Sequence, residues 1–120
     1  MKKLIAIIAL VLGFGIQANA QSVKTVALEQ TKGEFTQKSL TLAPGTYVFE
    51  IANNEVGHDV GFVLAPKGKT DQKHHIKNAY VTSLVKTNKK SRSKKVQLEK
   101  GEYVYFCPLN PTPQYTLTVQ

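Results

Sequence analysis

The sequence predicts an all-β protein, an antiparallel Greek-key β-sandwich or small barrel of about seven to eight strands. Two observations lead to this fold class. Short segments rich in β-branched and aromatic residues alternate with turn signals along the chain, and no long segment shows a helical period. The size is that of one domain, because only 100 of the 120 residues remain when an apolar N-terminal stretch is set aside.

Each strand is predicted from polar–apolar alternation or from an apolar run bounded by a turn. Pro44–Gly45 and Lys100–Gly101 are such turn dipeptides. The polar residues 66–78 are predicted to form a loop or a helical turn. The predicted strands are residues 23–28, 35–42, 46–52, 60–65, 80–85, 94–99, 103–107 and 115–119.

Residues 1–20 have the pattern of a cleaved export signal. Lys2 and Lys3 precede an apolar run over residues 4–16, and Ala18–Asn19–Ala20 gives the small-x-small pattern of a cleavage site. The run is shorter than the roughly 20 residues that span a bilayer, and no later segment is long and apolar enough to do so. We therefore predict a signal peptide over 1–20, a mature domain over 21–120, and a periplasmic or secreted location.

The charge is strongly basic and concentrated in one segment. The chain has 16 Lys and Arg against 8 Asp and Glu, a formal net charge of +8. Six of the basic residues fall within ten positions that contain no acidic residue: Lys86, Lys89, Lys90, Arg92, Lys94 and Lys95. Two interpretations stay open, a solvated loop and edge strand that resists aggregation, or a docking face for an acidic partner.

Several function classes are excluded by what the sequence lacks. The segment of basic residues has no interleaved aromatic residues to stack on bases, so nucleic acid is not an expected partner. No nucleophile elbow, HExxH motif or phosphate-binding loop is present, and the carboxylates form no recognisable acid–base pair. We expect a protein that is not an enzyme.

The only cysteine of the chain, Cys107, needs an explanation in an exported protein. It ends an apolar strand and precedes the proline-rich loop 108–113. One interpretation is a buried thiol that acts as a small hydrophobic side chain. The other is a soft metal ligand that the sheet presents beside further ligands.

Two segments resemble the cupredoxins, the family of plastocyanin and azurin. Residues 101–108, Gly-Glu-Tyr-Val-Tyr-Phe-Cys-Pro, resemble the strand that leads into the copper-ligand loop of that family. Residues 57–62, Gly-His-Asp-Val-Gly-Phe, resemble the segment that holds its first histidine ligand. The likeness extends over roughly residues 35–120 and implies a cupredoxin-like fold and one copper ion.

The resemblance implies a ligand set that is incomplete in this chain. His58 and Cys107 match the first histidine and the cysteine, 49 residues apart. Asn110 stands where the second histidine belongs, and Gln114 lies near the position of the axial methionine, for which glutamine is a known substitute. Asp59 replaces the asparagine that commonly follows the first histidine.

His74 and His75 are the remaining histidines, in a polar stretch beside Lys73 and Lys77. They form a solvated pair, supply the missing imidazole to the cysteine site, or make a separate exposed site of their own. The neighbouring lysines disfavour a cation in either metal-binding case.

The function hypothesis is an exported, monomeric copper-binding protein that transfers electrons or handles copper outside the cytoplasm. Its metal ligands are His58, Cys107, Gln114 and Asn110, and its partner is an acidic redox or copper-handling protein. The alternative is a metal-free cupredoxin-like module that binds another protein through its basic face, with Cys107 as a core residue.

Overall fold

The computed structural model describes residues 22–120, so the predicted export signal lies outside the described residues. Alternating polar and apolar residues form most of the strands; in β4, for example, every second side chain from Tyr47 to Asn53 is buried. The prediction of an all-β fold is confirmed. The strands are β1 (Val23–Thr31), β2 (Glu34–Phe35), β3 (Ser39–Leu42), β4 (Gly45–Asn53), β5 (Val63–Pro66), β6 (Lys90–Arg92), β7 (Val96–Leu98), β8 (Gly101–Phe106) and β9 (Tyr115–Val119).

The strands form two sheets. One has the order β2-β1-β4-β6, with β7 also paired to β4, and the other has the order β3-β9-β8-β5. The sheets are mixed, because β1 pairs with β4 and β3 pairs with β9 in parallel, while the remaining pairs are antiparallel. The antiparallel sandwich expected from the sequence therefore contains two parallel pairings, which alternation within a strand cannot reveal.

The core lies between the two sheets and is largely aromatic. Phe35 of β2 packs edge-on against Tyr105 of β8 at 5.2 Å between ring centroids and against Tyr115 of β9 at 5.7 Å. The ring centroids of Phe62 and Phe49 are 5.1 Å apart, and Phe49 belongs to β4 of the first sheet. These contacts join the short strand β2 to the second sheet and close one edge of the sandwich.

Two segments differ from simple strands. The polar stretch expected to be a loop or helical turn contains two 3-10 turns, Gln72–His74 and Lys77–Ala79. Residues 80–85, predicted as a strand, form only two isolated bridges, Val81 with Ser93 and Val60 with Val85. Between residues 22 and 120, no helix is long and apolar enough to cross a membrane.

Candidate metal site

Cys107 lies directly after β8, in the core, with 1% of its surface exposed. The antiparallel register of β5 and β8 pairs Val63 with Phe106, which brings the segment before β5 alongside the cysteine. The sulfur accepts two backbone hydrogen bonds, from the N–H of Gly61 at 3.3 Å and from the N–H of Asn110 at 3.3 Å. The thiol is therefore held between two separate chain segments.

The loop after Cys107 closes on itself. The backbone N–H of Cys107 donates to Oγ1 of Thr112 at 3.1 Å, and the N–H of Thr112 donates back to the carbonyl of Cys107 at 3.4 Å. This closure directs the N–H of Asn110 at the sulfur. Amide donors around a cysteine sulfur complement the negative charge that a metal-bound thiolate carries, so this environment fits a soft metal ligand.

Both polar atoms of the Asn110 side chain are engaged in hydrogen bonds away from Cys107. Asn110 is 3% exposed, and its Oδ1 accepts from the N–H of Gly33 at 2.7 Å. Its Nδ2 donates to Oε1 of Gln30 at 3.1 Å and to the carbonyl of Thr31 at 2.8 Å. Only the backbone of Asn110 contacts Cys107, while its side chain ties the loop to the turn between β1 and β2.

Gln30, which the sequence analysis did not single out, belongs to the same polar cluster. Its side chain is fully buried, and its Nε2 donates to the carbonyl of Gly61 at 2.7 Å. The signal for it was present in the sequence, because alternation along β1 places Gln30 on the inward face that Val26 and Leu28 occupy. A polar residue on an apolar face marks a buried hydrogen-bond network.

His58 lies on the exposed loop between β4 and β5. Its carbonyl accepts from Nδ2 of the buried Asn53 at 2.8 Å, and its ring Nδ1 is 2.9 Å from the carbonyl of Asp59. Among residues 22–120, its Nε2 has no hydrogen-bond partner. No hydrogen bond joins His58 to Cys107 in this range, where both contacts to the sulfur are backbone amides.

Of the other predicted residues, Gln114 is exposed, and His74 and His75 are half-buried. Gln114 lies on the loop before β9. Nδ1 of His74 is 2.8 Å from the carboxylate of Asp71, and the hydrogen bond from this imidazole holds the pKa of Asp71 below its usual value. Both ring nitrogens of His75 have partners, the hydroxyl of Tyr80 at 2.7 Å and the carbonyl of Thr70 at 3.0 Å.

The side chains near Cys107 fit copper only in part. Within the part of the chain that the structure describes, no three His, Cys, Asp or Glu side chains are grouped to hold one metal ion. The residues after Cys107 do not supply a second imidazole, because position 110 is an asparagine whose side-chain amide is hydrogen-bonded to Gly33, Gln30 and Thr31. The chemistry of Cys107 and His58 does fit a site of low coordination number, since thiolate and imidazole both suit copper.

The loop of Cys107 reaches the surface although the sulfur does not. A hollow of about 470 Å³ lies beside it, and its lining includes Pro108 and Leu109 of this loop together with Tyr80 and Leu84. Leu84 and Leu109 are about half exposed. The hollow beside the cysteine loop is thus lined mostly by apolar side chains, together with Gln72 and His75.

The six residues of the basic segment differ in whether they form ion pairs. Arg92 donates from Nε to a carboxylate oxygen of Glu50 at 3.1 Å, as its place opposite Glu50 in the pairing of β6 with β4 allows. Within residues 22–120, the other five basic residues make no ion pair: Lys86, Lys89, Lys90, Lys94 and Lys95. Lys90 lies on the edge strand β6, so the charge there also suits protection of a sheet edge.

A β-sandwich with a buried cysteine between the end of a strand and a short closed turn is the arrangement that the resemblance to the cupredoxins predicts. The model of the copper-binding proteins of the plastocyanin/azurin family matches residues 22–118. The chain belongs to this family. None of the curated proteins matches the chain in sequence.

Solved structures share the fold at low sequence identity. Auracyanin A, a "blue" copper protein from the green thermophilic photosynthetic bacterium Chloroflexus aurantiacus, is 17% identical with a TM-score of 0.66, over 82% of this chain and 100% of that chain. Auracyanin B is 19% identical with a TM-score of 0.64, over 88% and 93%. An azurin from the methylotroph Methylomonas sp. strain J is 18% identical with a TM-score of 0.54, over 80% and 97%. At these identities the likeness concerns the fold alone.

Proposed function

We propose that this protein is an exported, monomeric carrier of a single copper ion, bound as Cu(I) by Cys107 and His58. It handles copper or transfers electrons outside the cytoplasm and catalyses no reaction. The observation that supports this proposal best is the pair of backbone N–H groups, from Gly61 and Asn110, that contact the sulfur of Cys107. Donors in this arrangement favour a sulfur that carries negative charge.

The choice of Cu(I) follows from the ligands that remain. A soft thiolate and one imidazole suit Cu(I), and neither requires the second imidazole that Asn110 replaces. Bound copper supplies a redox-active ion, while the protein supplies a buried thiolate and an apolar surface. Because the ligand set is reduced, we favour copper handling over electron transfer.

Among the three histidines, His58 is the best candidate for the imidazole ligand. Its Nε2 has no partner among the described residues, whereas both ring nitrogens of His75 are hydrogen-bonded. His74 also has an unpartnered Nε2 within that range, but Lys73 and Lys77 lie near it in the chain. Positive charges disfavour cation binding at that loop. Gln114 is retained as a weak additional ligand.

Copper titration of the purified protein tests the proposal, with His74→Ala as the matched control for His58→Ala. We expect one Cu(I) per chain, loss of binding in Cys107→Ser, and affinity at least about tenfold lower in His58→Ala. His74→Ala should bind as the wild type does. Equal copper retention in wild type and Cys107→Ser would contradict the proposal. Binding that survives Cys107→Ser but is lost in a His74→Ala/His75→Ala double variant would relocate the metal to the polar loop.

A second candidate function is a metal-free module that binds an acidic protein. It is favoured by the five lysines of the basic segment that make no ion pair among residues 22–120. In this case Cys107 is a core residue and electrostatic steering brings the partner to the lysines. Wild-type protein that binds no copper, but captures an acidic partner in a salt-dependent manner, would support this function. Charge reversal at Lys94 and Lys95 should then abolish capture.

A further inference from the structure

Gln30 occupies an unusual place for a polar side chain. It lies at the end of β1, between Asn53 of β4 and Phe35 of β2 in the pairing of the sheet, and its side chain is fully buried. A buried amide is costly unless both of its ends are hydrogen-bonded. Both ends of Gln30 are, since Nε2 donates to the carbonyl of Gly61 at 2.7 Å and Oε1 accepts from Nδ2 of Asn110 at 3.1 Å.

The two residues that form hydrogen bonds with the side chain of Gln30 are the same two whose backbone N–H groups contact the sulfur of Cys107. The carbonyl of Gly61 accepts from Gln30, and its N–H donates to Cys107 at 3.3 Å. The side chain of Asn110 donates to Gln30, and its backbone N–H donates to the same sulfur at 3.3 Å. Gln30, Gly61, Cys107 and Asn110 therefore form a closed ring of hydrogen bonds that joins β1, the segment before β5 and the loop after β8.

We propose that Gln30 is the positioning residue of the cysteine site, which holds both amide donors against the sulfur of Cys107. The inference deepens the proposed function and rests on it for the role of the thiol as a ligand. The side-chain amide of Gln30 supplies the donor for Gly61 and the acceptor for Asn110 at once. A leucine or methionine of similar size supplies neither, and a carboxylate lacks the donor.

The ring predicts how Gln30→Met changes the thiol in the absence of metal. Loss of both contacts frees Gly61 and Asn110 to move away from the sulfur, so local opening should expose Cys107 more often. We expect native-state modification of Cys107 by a small aromatic disulfide reagent to be at least about tenfold faster than in wild type. The backbone amide proton resonances of Gly61 and Asn110 should shift, and they should also shift in Cys107→Ser, which removes the sulfur that both amides contact.

Ser93→Ala is the matched control. Ser93 is also a buried polar residue that links two segments, since its Oγ accepts from the N–H of Phe49 at 2.9 Å and donates to the carbonyl of Lys94 at 2.7 Å. It has no hydrogen bond to the ring. Ser93→Ala should change the rate of Cys107 modification only by the amount that its loss of global stability accounts for. The proposal would be overturned if the loss of global stability in Gln30→Met accounted fully for its faster modification of Cys107.

A measurement on the wild type covers the case in which Gln30→Met does not fold. The side-chain NH2 protons of Gln30 should exchange with solvent far more slowly than those of the exposed Gln114. Equal exchange rates would overturn the positioning role. Both measurements are made without copper, so they separate this inference from the proposed function. If the wild type bound no copper, but its Gln30 side chain were protected and Gln30→Met reacted fast, only the proposed function would be refuted.

Discussion

Asn110→Ala is the substitution that tests the polar cluster most directly. It removes the three side-chain hydrogen bonds to Gly33, Gln30 and Thr31. The three partners differ in what they lose. Oε1 of Gln30 is fully buried and has no other partner among the described residues, whereas Gly33 is exposed and Thr31 is half-buried, so water can replace the bonds of those two.

The expected magnitude follows from this difference. Leaving a buried acceptor without a partner costs about 1–3 kcal/mol, and each bond that water can replace costs about 0.5 kcal/mol. The free energy of unfolding should therefore fall by about 2–4 kcal/mol. For a domain of this size the midpoint of thermal unfolding should fall by about 10–25 °C.

Urea unfolding at fixed temperature measures the loss as a lower midpoint with an unchanged slope. Asn78→Ala is the control, because Asn78 is exposed and makes one long hydrogen bond, to the carbonyl of Lys95 at 3.3 Å. It should change the free energy of unfolding by less than about 0.5 kcal/mol. An Asn110→Ala protein as stable as Asn78→Ala would refute the network, because a buried amide in three hydrogen bonds cannot be removed without cost.

Three further predictions concern the same core. Asn110→His should not give the intense visible absorption of a thiolate–Cu(II) centre, because position 110 directs its side chain toward β1; such a band would show that the loop can turn the imidazole toward Cys107. Burial raises the pKa of Tyr105 to about 12 from the ordinary value of 10.0. Since the unfolded chain loses this proton first, stability should fall as pH rises from about 10 to about 12, and Tyr105→Phe should lose that part of the pH dependence. Phe35→Ala should cost about 3–5 kcal/mol in urea unfolding, because it empties a fully buried aromatic contact site between the sheets; a loss below about 1 kcal/mol would indicate that β2 does not close the core.

Much of the fold was predictable because it depends on local patterns. Alternation indicated the inward faces of β4 and β9, and the run before Cys107 indicated β8. Which strands pair is a non-local property, so the parallel pairing of β1 with β4 could not be read from either segment alone. The bridges at Val81 and Val85 show the same limit, because an apolar segment does not reveal whether a partner strand lies beside it.

The place of Cys107 in the fold was predictable from the sequence, but its contacts were not. Strand and loop signals indicated that Cys107 would stand at the start of a loop, and it does. The side-chain direction of Asn110 depends on the backbone of a closed turn and on the residues of β1 beside it, which spacing does not encode. Whether His58 binds a metal is likewise outside the reach of a motif, and it stays a prediction.

The position three residues after Cys107 can satisfy only one of two demands. A side chain that binds the metal must turn toward the sulfur and keep a lone pair for the ion. A side chain that ties the loop to β1 must turn toward that strand and use its polar atoms in hydrogen bonds there. Asn110 meets the second demand with its side chain and still directs its backbone N–H at the sulfur. Asn110, which replaces the second histidine ligand, is thus also a residue whose backbone N–H contacts the sulfur of Cys107. In the copper site proposed above, we therefore expect the second ligand to come from His58 rather than from the side chain of Asn110.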